Sequence, residues 1–147
     1  MLYEPLVALI EKHKLEIARM TAEAILALKV PGYAGFTVEG LTGRVLPTVE
    51  MVARYAHSGD PSEYRDYIVN LAETRLPQGF TAEDLIAAGR NMFDSIIKVI
   101  EREYPGPENE KIRLKFQRRL EGVHGLGQSV VVATRVKRGT TNIKGQV

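Results

Sequence analysis

The chain contains no cysteine, which excludes disulfides, thiolate metal sites and a cysteine nucleophile. It also lacks any apolar stretch near the roughly 18 residues that a membrane-spanning helix requires. Its beginning does not read as a signal peptide. Tyr3, Glu4 and Pro5 follow the first two residues, and Glu11, Lys12 and Lys14 interrupt the apolar run. A cytoplasmic location without membrane attachment is the expectation. Apolar residues make up 44% of the 147 positions, enough for a single core burying roughly two thirds of the unfolded surface. One domain is expected over 1–138. Residues 139–147, with Gly139, Gly145 and little apolar content, read as a loose tail.

Charge is distributed unevenly. Residues 1–110 carry 11 basic and 17 acidic side chains, and residues 111–147 carry 9 and 1. The overall net charge of +2 therefore conceals opposite signs in the two parts, a property that bears on partners and assembly. Lys115, Arg118 and Arg119 form the centre of a basic patch, and Glu121 is the acid among them.

Helical periodicity dominates the chain. Leu2, Leu6, Leu9, Ile10, His13, Ile17, Met20, Ala24 and Leu28 recur at three- and four-residue steps, which predicts one long helix from Glu4 to Ala27. Pro31 and Gly32 end it. Thr37 is an N-cap for a second helix reaching His57, with Leu41, Val45, Val49, Val52 and Ala53 on one side. Pro47 is expected to bend or split that helix. Asp60-Pro61-Ser62-Glu63 opens a shorter helix, Pro61 to Thr74, whose stripe is Tyr64, Tyr67, Ile68 and Leu71. After the turn at Pro77-Gln78-Gly79, Thr81-Ala82-Glu83-Asp84 caps the expected central helix. Its wide apolar face holds Leu85, Ile86, Gly89, Met92, Phe93, Ile96, Ile97 and Ile100. The last segment keeps a helical rhythm through Ile112, Phe116, Leu120, Val123, Leu126 or Gly127, Val130, Val131 and Thr134. Gly122, Gly125 and Gly127 each weaken a helix by about 1 kcal/mol relative to alanine. The run Val130–Val132 would also suit a strand, but a lone strand has no pairing partner, so a helix is predicted. Its glycines imply a face where another helix comes close, either the first helix or a symmetry mate. Gly122, Gly125, Gly127, Val130 and Ala133 are the candidate interface residues.

Residues able to carry chemistry are few. His13 lies on the apolar side of the first helix and reads as a core or interface residue. His57, at a helix C-terminus, suits the helix dipole. His124, among the glycines, is the one candidate haem ligand, or else a histidine at a dimer contact. No pair of histidines, and no Glu-x-x-His, falls at the spacing that puts two metal ligands on one helical face. Glu83 and Asp84 are explained by capping, and Ser95 and Ser129 have no base at helical spacing. Gly122-x-x-Gly125-x-Gly127 lacks the lysine–hydroxyl pair of a phosphate loop. The basic patch would favour nucleic acid, but no helix-turn-helix pair or aromatic–basic interleaving accompanies it, so nucleic acid is disfavoured. A non-enzymatic protein without a cofactor is the expectation. A haem-binding sensor is the alternative, and a DNA-associated helical protein the third reading.

Several spacings together resemble a known family. They are Gly40-Leu41-x-x-x-Val45-Leu46-Pro47, Tyr55-x-x-x-Gly59-Asp60-Pro61-x-x-Tyr64-x-x-Tyr67, Leu71-Ala72-x-x-Arg75-x-x-x-Gly79-Phe80 and Leu85-Ile86-x-Ala88-Gly89-x-x-Met92-Phe93-x-x-Ile96. Over roughly 1–136 the chain resembles the N-terminal non-haem globin-like sensory domain of the RsbR-type stressosome proteins. The resemblance implies an all-α globin-like fold with a long first helix and a homodimer. It also implies a role in bacterial stress or two-component signalling, relaying a signal to an output domain or a stressosome-type partner; separately, the small residues of the last helix permit a close crossing whose angle an unidentified small ligand would bias. The chain departs from the family by stopping just past the last helix.

Overall fold

The computed structural model describes the backbone of residues 4–146 and the side chains of residues 4–138. Leu2 of the expected first stripe, and the side chains of the expected tail, lie outside the described residues. Six α-helices make up the fold: α1 (Glu4–Lys12), α2 (Lys14–Ala27), α3 (Val38–Ser58), α4 (Ser62–Arg75), α5 (Ala82–Glu103) and α6 (Glu110–Gln146). Single 3-10 turns at Pro31–Tyr33, Leu76–Gln78 and Pro107–Asn109 join some of them, and no strand occurs among the described residues. The all-α expectation holds.

The expected first helix is two helices. His13 leaves the helical region (φ −107°, ψ 15°), although its N–H still donates to Leu9 and its carbonyl accepts from Ile17. Its imidazole is held between two carboxylates, with Nδ1 3.3 Å from Glu16 and Nε2 3.3 Å from Glu103 of α5. The buried Nε2 has that close neighbour but no aligned hydrogen bond. The apolar periodicity runs straight through the junction and gives no sign of it.

Pro47 does not split α3, which continues from Val38 to Ser58. Proline removes the bond to the carbonyl four residues back, here Gly43. Both residues are exposed, so the lost bond falls on the solvent side of the helix. Thr37 caps this helix by accepting from the Gly40 N–H at 3.0 Å. Gly59 ends it in the left-handed region (φ 77°), where glycine carries no Cβ penalty. α4 begins one residue later than expected, with Asp60 accepting from the Ser62 N–H and hydroxyl. Thr81 and Asp84 form a reciprocal capping box at the start of α5.

The core lies where the sequence concentrates its widest apolar face. On α5, Leu85, Met92, Phe93, Ile96, Val99 and Ile100 are buried, and the helix packs on α1, α2 and α6. α6 closes the core with Phe116, Leu120, Val123 and Val131, so 107–136 is helical despite its three glycines and no strand runs through Val130–Val132. It packs mainly on α5 and α4, and less on α3. The backbone stays helical to Gln146, past the expected boundary at Arg138.

Candidate functional site: a cavity between α3, α4, α5 and α6

α6 meets α4 at a gap set by Gly127. A Cβ there would lie 3.2 Å from the Tyr64 hydroxyl oxygen, so the missing side chain is what admits the phenol. One turn earlier His124 is buried, its ring 5.2 Å from that of Phe93 at a tilt of 56°. It faces Gly89 of α5, where a Cβ would lie 3.5 Å from His124 Cε1. These three helices and α3, with Thr21 and Ile25 of α2, line a cavity of about 110 Å³ that opens to solvent. Its interior wall is mostly apolar, with Leu41, Val45, Ile68, Leu85, Met92 and Val131 among its residues.

The polar groups on that wall are few. Thr48 of α3 donates to the Tyr67 hydroxyl at 2.8 Å. Tyr33, Tyr64 and His124 are each more than nine-tenths buried, and their side-chain polar atoms have no hydrogen-bond partner among the described residues. Burial raises the phenol pKa of both Tyr33 and Tyr64 above its ordinary value. Burial, reinforced by the Arg90 guanidinium, lowers that of His124, while Glu121 and Asp94 oppose the shift. The imidazole is thus held toward its neutral form.

At the solvent end an aromatic cluster carries two arginines. Tyr33 stands edge-on to Phe80 at 4.8 Å and to Phe36 at 6.0 Å. The Phe80 ring occupies the space that a side chain at Gly32 would need. Arg44 of α3 lies over Phe36 at 4.8 Å, and Arg75 of α4 lies 5.4 Å from Phe80 and 6.0 Å from Phe36. Neither guanidinium forms an ion pair among the described residues, and the cavity lining contains no acidic side chain.

Of the residues singled out in the sequence, His124 and Gly127 come together on this wall, with Val131 beside them. Gly122 and Ala133 are exposed, and Gly125 and Val130 are half-buried. No atom lies within 4 Å of where a Cβ at Gly122 or Gly125 would stand, so within the chain neither marks a close helix crossing. The first helix is not the principal neighbour of α6, which packs on α5, α4 and α3. His57 is exposed in the last turn of α3. Ser95 donates to the Asn91 carbonyl at 2.9 Å.

The basic patch is partly absorbed by the fold. Arg119 donates from Nε to the Ala56 carbonyl at 3.0 Å, near the C-terminus of α3. Arg113 donates to the Tyr104 and Gly106 carbonyls, and Arg135 pairs with Glu83 at 2.7 Å. Lys115 and Arg118 remain exposed. Among the described residues no group of three potential metal ligands occurs, and no helix is long and apolar enough to cross a membrane.

Sequence reading overlooked Arg44 and did not connect Arg75, Tyr33 and Phe36. The available signal was aromatic and basic residues gathered around two proline–glycine turns, Pro31-Gly32-Tyr33 and Arg75-Leu76-Pro77-Gln78-Gly79-Phe80. No protein-family model, curated protein or solved structure matches this chain.

Proposed function

We propose that this chain is a non-enzymatic, homodimeric sensory and protein-interaction domain of the globin-like kind. In this reading it relays a signal to an output domain or partner protein in bacterial stress or two-component signalling, as the resemblance implies. One observation supports the reading: α6 turns one side to the cavity and an exposed side of regular spacing to solvent. Its inner side supplies His124, Gly127 and Val131 to the cavity. Its outer side presents Arg118, Gly122, Gly125, Ser129, Val132 and Val136, alternating at four- and three-residue spacings. That is the heptad interval of a helix-pairing seam, and its small residues suit a close approach. Val132 and Val136 are 37% and 60% exposed, a cost in water that association would remove. A ligand that presses on the inner side displaces the helix that carries the outer one.

Light scattering at micromolar concentration tests the assembly. The wild-type chain is expected to be a dimer, and Val132→Asp with Val136→Asp is expected to give a monomer of unchanged helical content. A stable wild-type monomer overturns the dimeric reading.

Haem is the alternative reading, because His124 borders the cavity. Size counts against it: about 110 Å³ is less than the ~150 Å³ that holds one benzene ring, and a porphyrin is far wider. A Soret band that appears on adding haem and moves on His124→Ala would restore that alternative.

A further inference from the structure

We propose that the cavity is a binding site for a small organic carboxylate, with its charged head between Arg44, Arg75 and Tyr33 and a short apolar body inside. The proposal deepens the sensory reading and rests on it for the consequence of binding, though the site itself is argued from its own geometry. Arg44 and Arg75 each lie within 6.0 Å of the Phe36 ring and neither forms an ion pair among the described residues; Asp84, the acid that acts on Tyr33, is engaged by the Thr81 N–H in the capping box. Arg75 is half-buried, so it has given up part of its hydration and received only aromatic faces in return. An anion at this mouth would accept the forked N–H donors that arginine offers a carboxylate. Tyr33, packed against the same aromatic cluster, has a hydroxyl without a partner among the described residues and can donate to the same head.

Chemistry behind the mouth decides the rest of the ligand. The walls are aliphatic and aromatic, with Ile68, Leu85, Met92 and Val131 contributed by three helices. No lysine or acid lines them, so a second charge on the ligand would be buried without a counter-ion. The volume bounds the body at about four or five carbons, by comparison with the ~150 Å³ cavity that takes benzene. A long acyl chain does not fit. Deeper in, the Tyr64 hydroxyl and the neutral His124 imidazole accommodate at most a polar atom or a water, since neither brings a formal charge.

Isothermal titration calorimetry on the intact chain tests the site with pentanoate as the probe. Saturable binding is expected with pentanoate. Acetate, which lacks the body, and 1-pentanol and pentylamine, which lack the anion, are each expected to bind at least tenfold more weakly. Arg75→Gln is expected to weaken pentanoate binding tenfold or more, and Arg75→Lys to restore part of it. Circular dichroism establishes that each variant is folded. Tyr33→Phe, which preserves the ring packing, is expected to weaken binding severalfold, and serves as the second probe should Arg75→Gln unfold. No binding of pentanoate, binding of 1-pentanol as tight as pentanoate, or affinity unaffected by both head-group variants would overturn the proposal. Tighter binding of palmitate than of pentanoate would overturn the size limit. Light scattering on the same samples separates the two readings: a dimer that does not bind sinks the ligand site alone, and a monomer that binds sinks the dimeric relay alone.

Discussion

Arg102 of α5 grips both carboxylate oxygens of Glu16 on α2, with Nη2 2.8 Å from Oε1. The same carboxylate meets His13 at the junction of α1 and α2, so one residue ties the helix break to the central helix. Hydrogen bonding from Arg102, aided by its charge and by His13, holds the Glu16 pKa down to about 2. A depressed carboxylate stabilises the fold above its unfolded value near 4.5, and that contribution disappears as pH falls toward 2. Both side chains are largely exposed, so the effect is small. Glu16→Gln should lower the urea midpoint at pH 7 and make little difference near pH 2. An equal deficit at both pH values would exclude the ionised carboxylate as its cause.

His124 predicts a second pH dependence at higher pH. Its folded pKa lies below the model-compound value of 6.5, chiefly through burial, whereas the unfolded chain takes up the proton normally. Stability is therefore full above about 6.5 and declines as pH falls below it. His124→Gln should flatten urea-denaturation stability between pH 7 and 5 relative to wild type. Parallel curves for the two proteins would contradict this.

The three glycines of α6 should respond differently to alanine. Gly122 and Gly125 have open space where a Cβ would stand, so each substitution should stabilise the folded monomer by up to about 1 kcal/mol through helix propensity. At Gly127 the new methyl would meet the Tyr64 hydroxyl at 3.2 Å, and that crowding should cancel the gain. Denaturation at two protein concentrations distinguishes these monomer effects from an effect on the proposed dimer. Equal gains at all three positions would show that Tyr64 moves aside freely.

Phe93 is 1% exposed at the centre of the core and flanks His124. Phe93→Ala should cost about 3–5 kcal/mol, measured by urea denaturation. Val136→Ala, on the exposed side of α6, should stay within about 0.5 kcal/mol at concentrations where the chain is monomeric. A loss at Phe93 no larger than that at Val136 would remove Phe93 from the core.

Much of the fold was legible because local signals and tertiary burial agree. Thr37 and Thr81 cap the helices they were expected to cap, and the stripe of Phe116, Leu120, Val123 and Val131 is the buried side of α6. The break at His13 was not legible, and the carboxylate that its ring meets there, Glu103, lies 90 residues away in the chain. Pro47 does not split α3, because the effect of a proline depends on which side of a helix it occupies, and the solvent side tolerates the lost bond. At the cavity, His124 and Gly127 drew notice by their composition. Arg44, Arg75 and Tyr33 are scattered over three segments and acquire meaning only when Phe36 and Phe80 gather them.

Gly89 and Gly127 stand on facing walls of the cavity, one on α5 and one on α6. A methyl at position 89 would reach His124 at ordinary contact distance, whereas one at 127 would press on Tyr64. The chamber can thus be narrowed from either wall by a single carbon while both helices keep their hydrogen bonds. Substitution at those two positions alone would change what the chamber admits and leave the scaffold as it is.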